Sequence, residues 1–260
     1  GYDAELIDYR PLQLRKANRT YLYYRGQRLI NPLLFKSGLR KEIKLRSFIS
    51  KYMKLSSKTF YSKETLGSAQ HVYDYLICGS DEIWNLNDSH TNFGSDLSYF
   101  LDFINCDNSK KISYAPSFGY TNDLKEFKEK VSDLIKEFES LSARDSNSIQ
   151  LINKCGGNAE KVLDPTFLID YSNILKEPSI SQDYVLLYGS FTKEQGEYIE
   201  TFARSRGLDV ISIGARPDTY KPKISKIGVG IEEWLGYFSR ASYICTNYFH
   251  GVIFSIIFQK

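Results

Sequence analysis

The last third of the chain restricts the fold most, because short apolar runs there alternate with longer amphipathic ones. "DYVLLYGSF" (183–191), "LDVISIG" (208–214) and "ASYICT" (241–246) are rich in β-branched, aromatic and aliphatic residues. "TKEQGEYIETFARSRG" (192–207) closes on a glycine, and Ile231, Trp234, Leu235 and Phe238 recur at i, i+3, i+4 and i+7. A strand buried on both faces reads as a continuous apolar run, whereas a helix laid on a sheet reads with a period of 3.6. Their alternation predicts strands paired in parallel, with helices on both faces. The final run, "GVIFSIIF" (251–258), is expected to be the helix after the last of these strands.

The first part of the chain repeats the pattern less regularly. "AELIDY" (4–9), "YDYLICGSDEIWN" (73–85), "LSYFLDF" (97–103) and "KISYAPSFG" (111–119) read as strands or strand-to-loop junctions. Leu39, Ile43, Leu45, Phe48, Ile49 and Tyr52 recur at near-helical spacing among Lys and Arg, which predicts a helix with a solvated basic face. Leu124, Phe127, Val131 and Leu134 mark an amphipathic helix within 122–138. Another helix is expected at about Ser146 to Lys154, and "KVLDPTFLID" (161–170) reads as a short strand and turn. Residues 170–183 are polar, carry Pro178 and lack periodicity, so they read as a linker. The expected fold class is α/β: a Rossmann-like domain over 1–169, a linker over 170–183, and a second Rossmann-like domain over 184–260, with mostly parallel sheets facing a cleft. The chain opens on Gly1 and stops at Lys260 within an apolar run, so each domain is expected to be incomplete at its outer end.

Composition removes several classes. Apolar residues make up 42% and charged residues 25%, which excludes a disordered chain. A formal charge of +3 is too small to imply nucleic acid as a partner. Twenty Tyr and sixteen Phe suit large cores, aromatic clefts or carbohydrate-stacking surfaces. Cys78, Cys106, Cys155 and Cys245 lack CxxC spacing, so neither a zinc cage nor a disulfide framework is suggested, and a reducing cytoplasm fits. No run approaches the length of a membrane span and no signal peptide opens the chain. P-loop, dinucleotide, zinc-protease and α/β-hydrolase motifs are missing, and no metal site is expected.

In open parallel sheets, ligands collect at the carboxyl ends of the strands. That rule selects Gly79, Ser80 and Asp81; Ser117, Phe118 and Gly119; Ser142 to Asp145; Asp164 to Thr166; Gly189 and Ser190; and Thr246 to Gly251. His250 falls in the first turn of a helix, where free N–H groups and the positive dipole end suit an anion, with Thr246 or Asn247 as cap. A phosphate or carboxylate bound there would favour the protonated ring; the bland alternative is a structural histidine at a strand-helix joint. Asp81 and Glu82 beside Trp84 resemble a reader of sugar hydroxyls, or equally a turn cap and a core indole. Arg144 could grip a carboxylate or phosphate, or pair with adjacent Asp145. Asp164-Pro165-Thr166 reads as turn chemistry, and His71 and His90 as surface residues.

"ICGSDEIWN", "KISYAPSFG", "LSARDSNSIQLI", "VLDPTFLI" and "TNYFHGVIFSIIFQK" stand in the order found in polysaccharide pyruvyl transferases, so residues 76–260 resemble that family. Family members carry a strand and an "NYGA"-like loop ahead of "GYDAELIDYRP" and run on after "FSIIFQK". The resemblance implies a GT-B-like fold and transfer of the pyruvyl group of phosphoenolpyruvate to two hydroxyls of a sugar, forming a cyclic ketal in cell-surface or exopolysaccharide synthesis. It implies no cofactor; the acceptor would be a sugar, a nucleotide sugar or a lipid-linked oligosaccharide, the last compatible with peripheral attachment at the inner membrane face. His250 matches the family's donor-site His, which would protonate the enol ether. Tyr248 stands where the family has Arg, and Asn247 where Asp is common. The positive charge for the donor would then come from Arg144, with Lys221, Lys223 and Arg216 behind it, while Asn247, Tyr248, Phe249 and Gly251 shape the donor pocket. Gly79, Ser80, Asp81, Glu82, Trp84, Ser117 and Gly189 would line the acceptor side, with Asp81 or Glu82 deprotonating the attacking hydroxyl. A GT-B glycosyltransferase using a nucleotide sugar and an inactive sugar-binding relative are the alternatives.

Overall fold

The computed structural model describes residues 2–11, 21–24, 27–30, 35–69, 73–87, 96–103, 109–214 and 220–260; His71, His90, Cys106 and Arg216 lie outside them. In chain order the first elements are β1 (Leu6–Tyr9), β2 (Tyr21–Tyr24), β3 (Gln27–Ile30), α1 (Phe35–Tyr52), β4 (Leu55–Phe60), α2 (Lys63–Gly67) and β5 (Tyr75–Cys78). Next come β6 (Lys110–Ser113), α3 (Lys128–Lys136), β7 (Phe138–Ser140), β8 (Ser142–Ala143), α4 (Ser146–Lys154) and β9 (Glu160–Lys161). The last are β10 (Tyr184–Tyr188), α5 (Lys193–Arg204), β11 (Asp209–Ile213), β12 (Ile224–Lys226), α6 (Ile231–Arg240), β13 (Tyr243–Thr246) and α7 (Phe249–Ile257). The fold is α/β, and every described strand pair except the β2–β3 hairpin is parallel.

The chain divides into two units, one of Gly1–Ala4, Arg19–Lys54 and Ile169–Lys260, the other of Glu5–Asn18 and Leu55–Leu168. This differs from a break confined to 170–183. Helix α1 belongs with the C-terminal unit because its ammonium groups meet carboxylates of α6: Lys44 Nζ lies 2.5 Å from Glu233 Oε2, and Lys51 Nζ 2.9 Å from Glu232 Oε1. The expected linker packs as well. Tyr171, Ile174, Leu175 and Ile180 lie against the C-terminal core, and Gly236 lets the Lys176 carbonyl approach so closely that a methyl group there would lie 1.9 Å from it.

In the C-terminal unit the sheet order is β12-β11-β10-β13, all parallel. Alternation along β10 feeds two cores. Tyr184 and Leu186 join Ile211, Leu235, Phe238 and Phe254 on one face, while Val185 and Leu187 join Ile199 and Ala203 of α5 on the other. Each fully buried Val or Leu contributes about 1.5–3 kcal/mol. Helix α5 starts at a capping box in which Thr192 Oγ1 accepts the Gln195 N–H at 3.2 Å and Gln195 Oε1 accepts the Thr192 N–H at 2.9 Å.

In the other unit, β5-β6-β7 form one parallel sheet and β8-β9 another. Serine hydroxyls stitch β6 to β8: Ser113 Oγ donates to the Ser142 carbonyl at 3.0 Å, and Ser142 Oγ to the Ser113 carbonyl at 2.8 Å. The core beneath holds Leu76, Phe118, Val131, Ile135, Phe138 and Ile152. Residues 97–103 are not a strand. Asp96 caps a 3-10 turn over Leu97–Phe100 by accepting the Ser98 N–H at 3.0 Å, and Leu101 turns the chain in the left-handed region at φ 59°. The 122–138 helix likewise begins late, as a 3-10 turn at Lys125–Phe127 before α3, since Asp123 draws the Lys125 N–H aside at 3.1 Å.

Candidate functional site

The C-terminal sheet reverses its strand order between β10 and β13, and the crevice beyond strand ends at such a switch point is where open α/β sheets hold ligands. Gly189 and Ser190 leave β10 there, and Thr246, Asn247 and Tyr248 leave β13. Neutral hydrogen bonds bind the two exits together. Asn247 Oδ1 accepts the Ser190 N–H at 3.0 Å, its Nδ2 donates to the Ser190 carbonyl at 2.6 Å, and the Tyr248 and Ser190 hydroxyls lie 2.9 Å apart. Only glycine suits position 189, where φ is 156° and a methyl group would lie 2.2 Å from Asn247 Oδ1.

These bonds change the expected capping of α7. Thr246 Oγ1 donates to the Tyr188 carbonyl at 2.6 Å and accepts the Tyr248 N–H at 3.2 Å, while Asn247 is committed to Ser190. The N-cap is Tyr248, and no side chain caps the helix. Backbone N–H groups of a first turn left without side-chain acceptors are available to an anion. His250 is the second residue of α7, half-buried, its ring 5.3 Å from that of Phe249. Gly251 brings the helix against β13, since a methyl group there would lie 2.0 Å from Thr246 Oγ1. Beneath the loops, the Tyr188 ring meets Trp234 at 5.2 Å, Phe238 at 5.4 Å and Tyr248 at 5.3 Å. Burial, then the neighbouring Tyr248 phenol, pushes the Tyr188 hydroxyl up from its ordinary pKa.

The strand ends of the other unit are held by charge. Arg144 follows β8, and its guanidinium donates from Nη1 to Asp164 Oδ2 at 2.9 Å and from Nη2 to Asp81 Oδ1 at 3.0 Å. Asp164 also accepts the Thr166 N–H at 3.1 Å, the Thr166 hydroxyl at 2.8 Å and the Ser80 hydroxyl at 3.3 Å. Burial pushes the Asp164 carboxyl up, but the Thr166 N–H, the Arg144 guanidinium and the Thr166 hydroxyl outweigh it, leaving the pKa below its ordinary value. Gly79 is required because φ is 128° and a methyl group would lie 1.9 Å from the Tyr114 carbonyl oxygen.

Several expected site residues are thus reassigned. Trp84 is fully buried, stacked on Phe100 at 4.6 Å with its Nε1 donating to the Tyr99 carbonyl at 3.0 Å, so no face is open to a sugar. Ser117 is buried and its Oγ accepts the Gly119 N–H at 2.9 Å. Glu82 accepts from Asn85 Nδ2 at 3.0 Å. Asp145 is the N-cap of α4 rather than the partner of Arg144, accepting the Ser148 N–H at 2.8 Å. Lys221 and Lys223 are exposed and precede β12, away from that strand's carboxyl end. The structure brings Ser80, Asp81 and Arg144 together in one unit, and Gly189, Asn247 and Tyr248 together in the other, with His250 in the first turn of the helix that follows. Asp164 and Ser190, selected from sequence as strand-end residues without an assigned role, are the anchors of the two groups. Among the described residues, no group of three or more His, Cys, Asp or Glu could hold a metal ion, and no helix is long and apolar enough to cross a membrane.

Parallel α/β units with polar groups gathered at their strand ends, one at a switch point, define an open α/β class, in which ligands are held at such strand ends. The chain belongs to the polysaccharide pyruvyl transferase family, whose model matches residues 1–260. Membership indicates a transferase with polysaccharide pyruvyl transferase activity in general, acting between a pyruvyl donor and a sugar or polysaccharide. No curated protein and no solved structure matches the chain.

Proposed function

We propose that the protein transfers the pyruvyl group of phosphoenolpyruvate to two hydroxyls of one sugar, making a cyclic ketal and releasing phosphate, in cell-surface or exopolysaccharide synthesis. The observation that carries the reading is the β10–β13 switch point, where the first turn of α7, without a side-chain cap, begins beside Ser190 and contains His250. In this reading the donor's anionic groups take the first-turn N–H groups of α7 and the Ser190 hydroxyl. His250 delivers a proton to the methylene carbon, which becomes a methyl group, and the adjacent carbon becomes an oxocarbenium ion. One sugar hydroxyl adds to that carbon and loses its proton. Phosphate then leaves with the C–O bonding pair, and a second hydroxyl of the same sugar adds and loses its proton. Of the two hydroxyl protons, one replaces that used at the methylene carbon and the other accompanies phosphate. The reading includes the GT-B-like fold that the family resemblance implies.

The test incubates the protein and phosphoenolpyruvate with methyl hexosides, nucleotide-linked hexoses and polyprenyl-diphosphate-linked hexoses, and follows phosphate release with the mass of the product. Phosphate release matched by a sugar product heavier by one pyruvate less water supports the reading; no product with any acceptor overturns it. Tyr248, standing where the resemblance expects Arg and bonded to Ser190, favours one second reading, a relative that binds saccharide without turnover. Calorimetric saccharide binding without phosphate release in the same panel is its signature.

A further inference from the structure

The charged group of the N-terminal unit has a gradient of exposure that the donor chemistry does not use. The Asp164 side chain is 2% exposed, that of Arg144 6%, and that of Asp81 63%. Asp164 is fixed by the turn it opens, through the Thr166 N–H and hydroxyl, and holds Nη1 of Arg144. The other guanidinium nitrogen then holds Asp81 Oδ1, which also accepts the Glu82 N–H at 2.9 Å. Asp81 is fixed in backbone too, at φ 74° and bridged to Pro116 beyond the end of β6. Its Oδ2 takes no hydrogen bond among the described residues. One oxygen of an exposed carboxylate is therefore locked from beneath, and the other faces solvent.

We propose that Asp164 is a positioning residue acting through Arg144, and that Oδ2 of Asp81 accepts a hydroxyl of the saccharide substrate; this rests on the transferase reading above. An ordinary surface carboxylate must be ordered when it binds, which offsets much of the hydrogen bond it forms. Asp81 is ordered beforehand by a buried cation. Its chemistry selects the acceptor over the donor. A carboxylate oxygen accepts O–H donors, whereas phosphoenolpyruvate is anionic and would meet Asp81 and neighbouring Glu82 as like charges, with the Arg144 cation shielded below them. The assignment moves Arg144 from holding the donor to presenting the acceptor's partner.

The experiment uses the full chain, phosphoenolpyruvate and the best methyl hexoside of the panel. Asp81→Asn should raise the hexoside KM about tenfold, the usual scale for a hydrogen bond to a charged group, with the phosphoenolpyruvate KM changed less than about twofold. Asp164→Asn should raise the hexoside KM in the same direction, and should add nothing when Asp81 is already Asn. Arg144→Lys, which keeps the charge but cannot span both carboxylates, should reproduce the Asp81→Asn effect if Asp164→Asn fails to fold. The proposal is overturned if Asp164→Asn acts equally in both backgrounds, or if the loss falls on the phosphoenolpyruvate KM. Were wild-type protein to release no phosphate, the transferase reading would fail by itself; calorimetric hexoside binding to wild type and Asp81→Asn would still decide this proposal, and equal or undetectable binding would overturn it.

Discussion

The two groups of strand-end loops face the same structural problem and answer it with different chemistry. Around Ser190, Asn247 and Tyr248 the bonds are neutral, run between side-chain amides, hydroxyls and backbone, and leave the first turn of α7 without a side-chain cap. Around Asp81, Arg144 and Asp164, a buried guanidinium joins two carboxylates from opposite sides. A neutral tie fixes a loop without filling the place where an anion would bind. An ionic tie fixes a loop while setting one carboxylate outward. In the transferase reading proposed above, the first serves the donor and the second the acceptor, and the two should fail in different ways.

The largest effect is expected at the neutral end. His250→Asn keeps a polar side chain in the first turn of α7 but removes the exchangeable ring proton. Turnover should drop by about two to four powers of ten, the scale for losing a positioned general acid, with melting temperature barely changed. A rate within a few-fold of wild type would leave His250 a structural residue and collapse the division of labour. At the charged end, Arg144→Met should act on stability instead. It leaves Asp164, 2% exposed, without its cation, and breaking such a buried pair costs about 3–5 kcal/mol. Denaturant unfolding measures it; a loss under about 1 kcal/mol would mean that the Thr166 and Ser80 donors suffice.

Acid should separate the groups more gently. Because the folded-state pKa of Asp164 is depressed, its contribution is fully present above the unfolded value, near 3.9, and is lost as pH falls through the folded value. Hydrogen exchange, corrected for its intrinsic pH dependence, should show the Thr166 amide, bonded to Asp164, losing protection below about pH 4 while the Ser190 amide, bonded to neutral Asn247, keeps its own. Parallel loss at both amides would show that acid opens the molecule as a whole.

Legibility in the sequence follows the same division. Between β10 and α7 the strands β10, β11 and β13 and the three helices were readable as apolar runs and periodic stripes, and α4 and α6 begin at Ser146 and Ile231, as expected. Strand β12 was not, since its three residues sit in a loop rich in Lys and Pro and become a strand only by pairing with β11. Leu97–Phe103 looked like a strand because an apolar run does not reveal that Asp96 will cap a turn. Of the sites, Ser80, Asp81 and Arg144 were selected from strand ends, but the role of Asp164 was not. Its pairing spans 20 residues and that of Asp81 with Arg144 spans 63, separations that only the alignment of parallel strand ends can close. Trp84 stayed open between an indole that stacks on sugar and one that fills a core, because these are the same residue, told apart by burial alone, and burial makes it the core indole.

The smallest expected effect tests whether the neutral tie is as divisible as its chemistry implies. Tyr248→Phe removes the hydroxyl that meets Ser190 Oγ at 2.9 Å and keeps the ring that packs on Tyr188 at 5.3 Å. The lost bond is neutral on both sides, and Ser190 remains held through its backbone by both ends of the Asn247 amide. Stability should therefore fall by only about 0.5–1.5 kcal/mol, several times less than for Arg144→Met, because the freed serine hydroxyl can turn to water instead of being stranded. In the transferase reading that hydroxyl also faces the donor, so Tyr248→Phe should change the phosphoenolpyruvate KM more than the hexoside KM. Equal shifts in both, or a stability loss matching that of Arg144→Met, would mean that the two sets of loops are not functionally distinct.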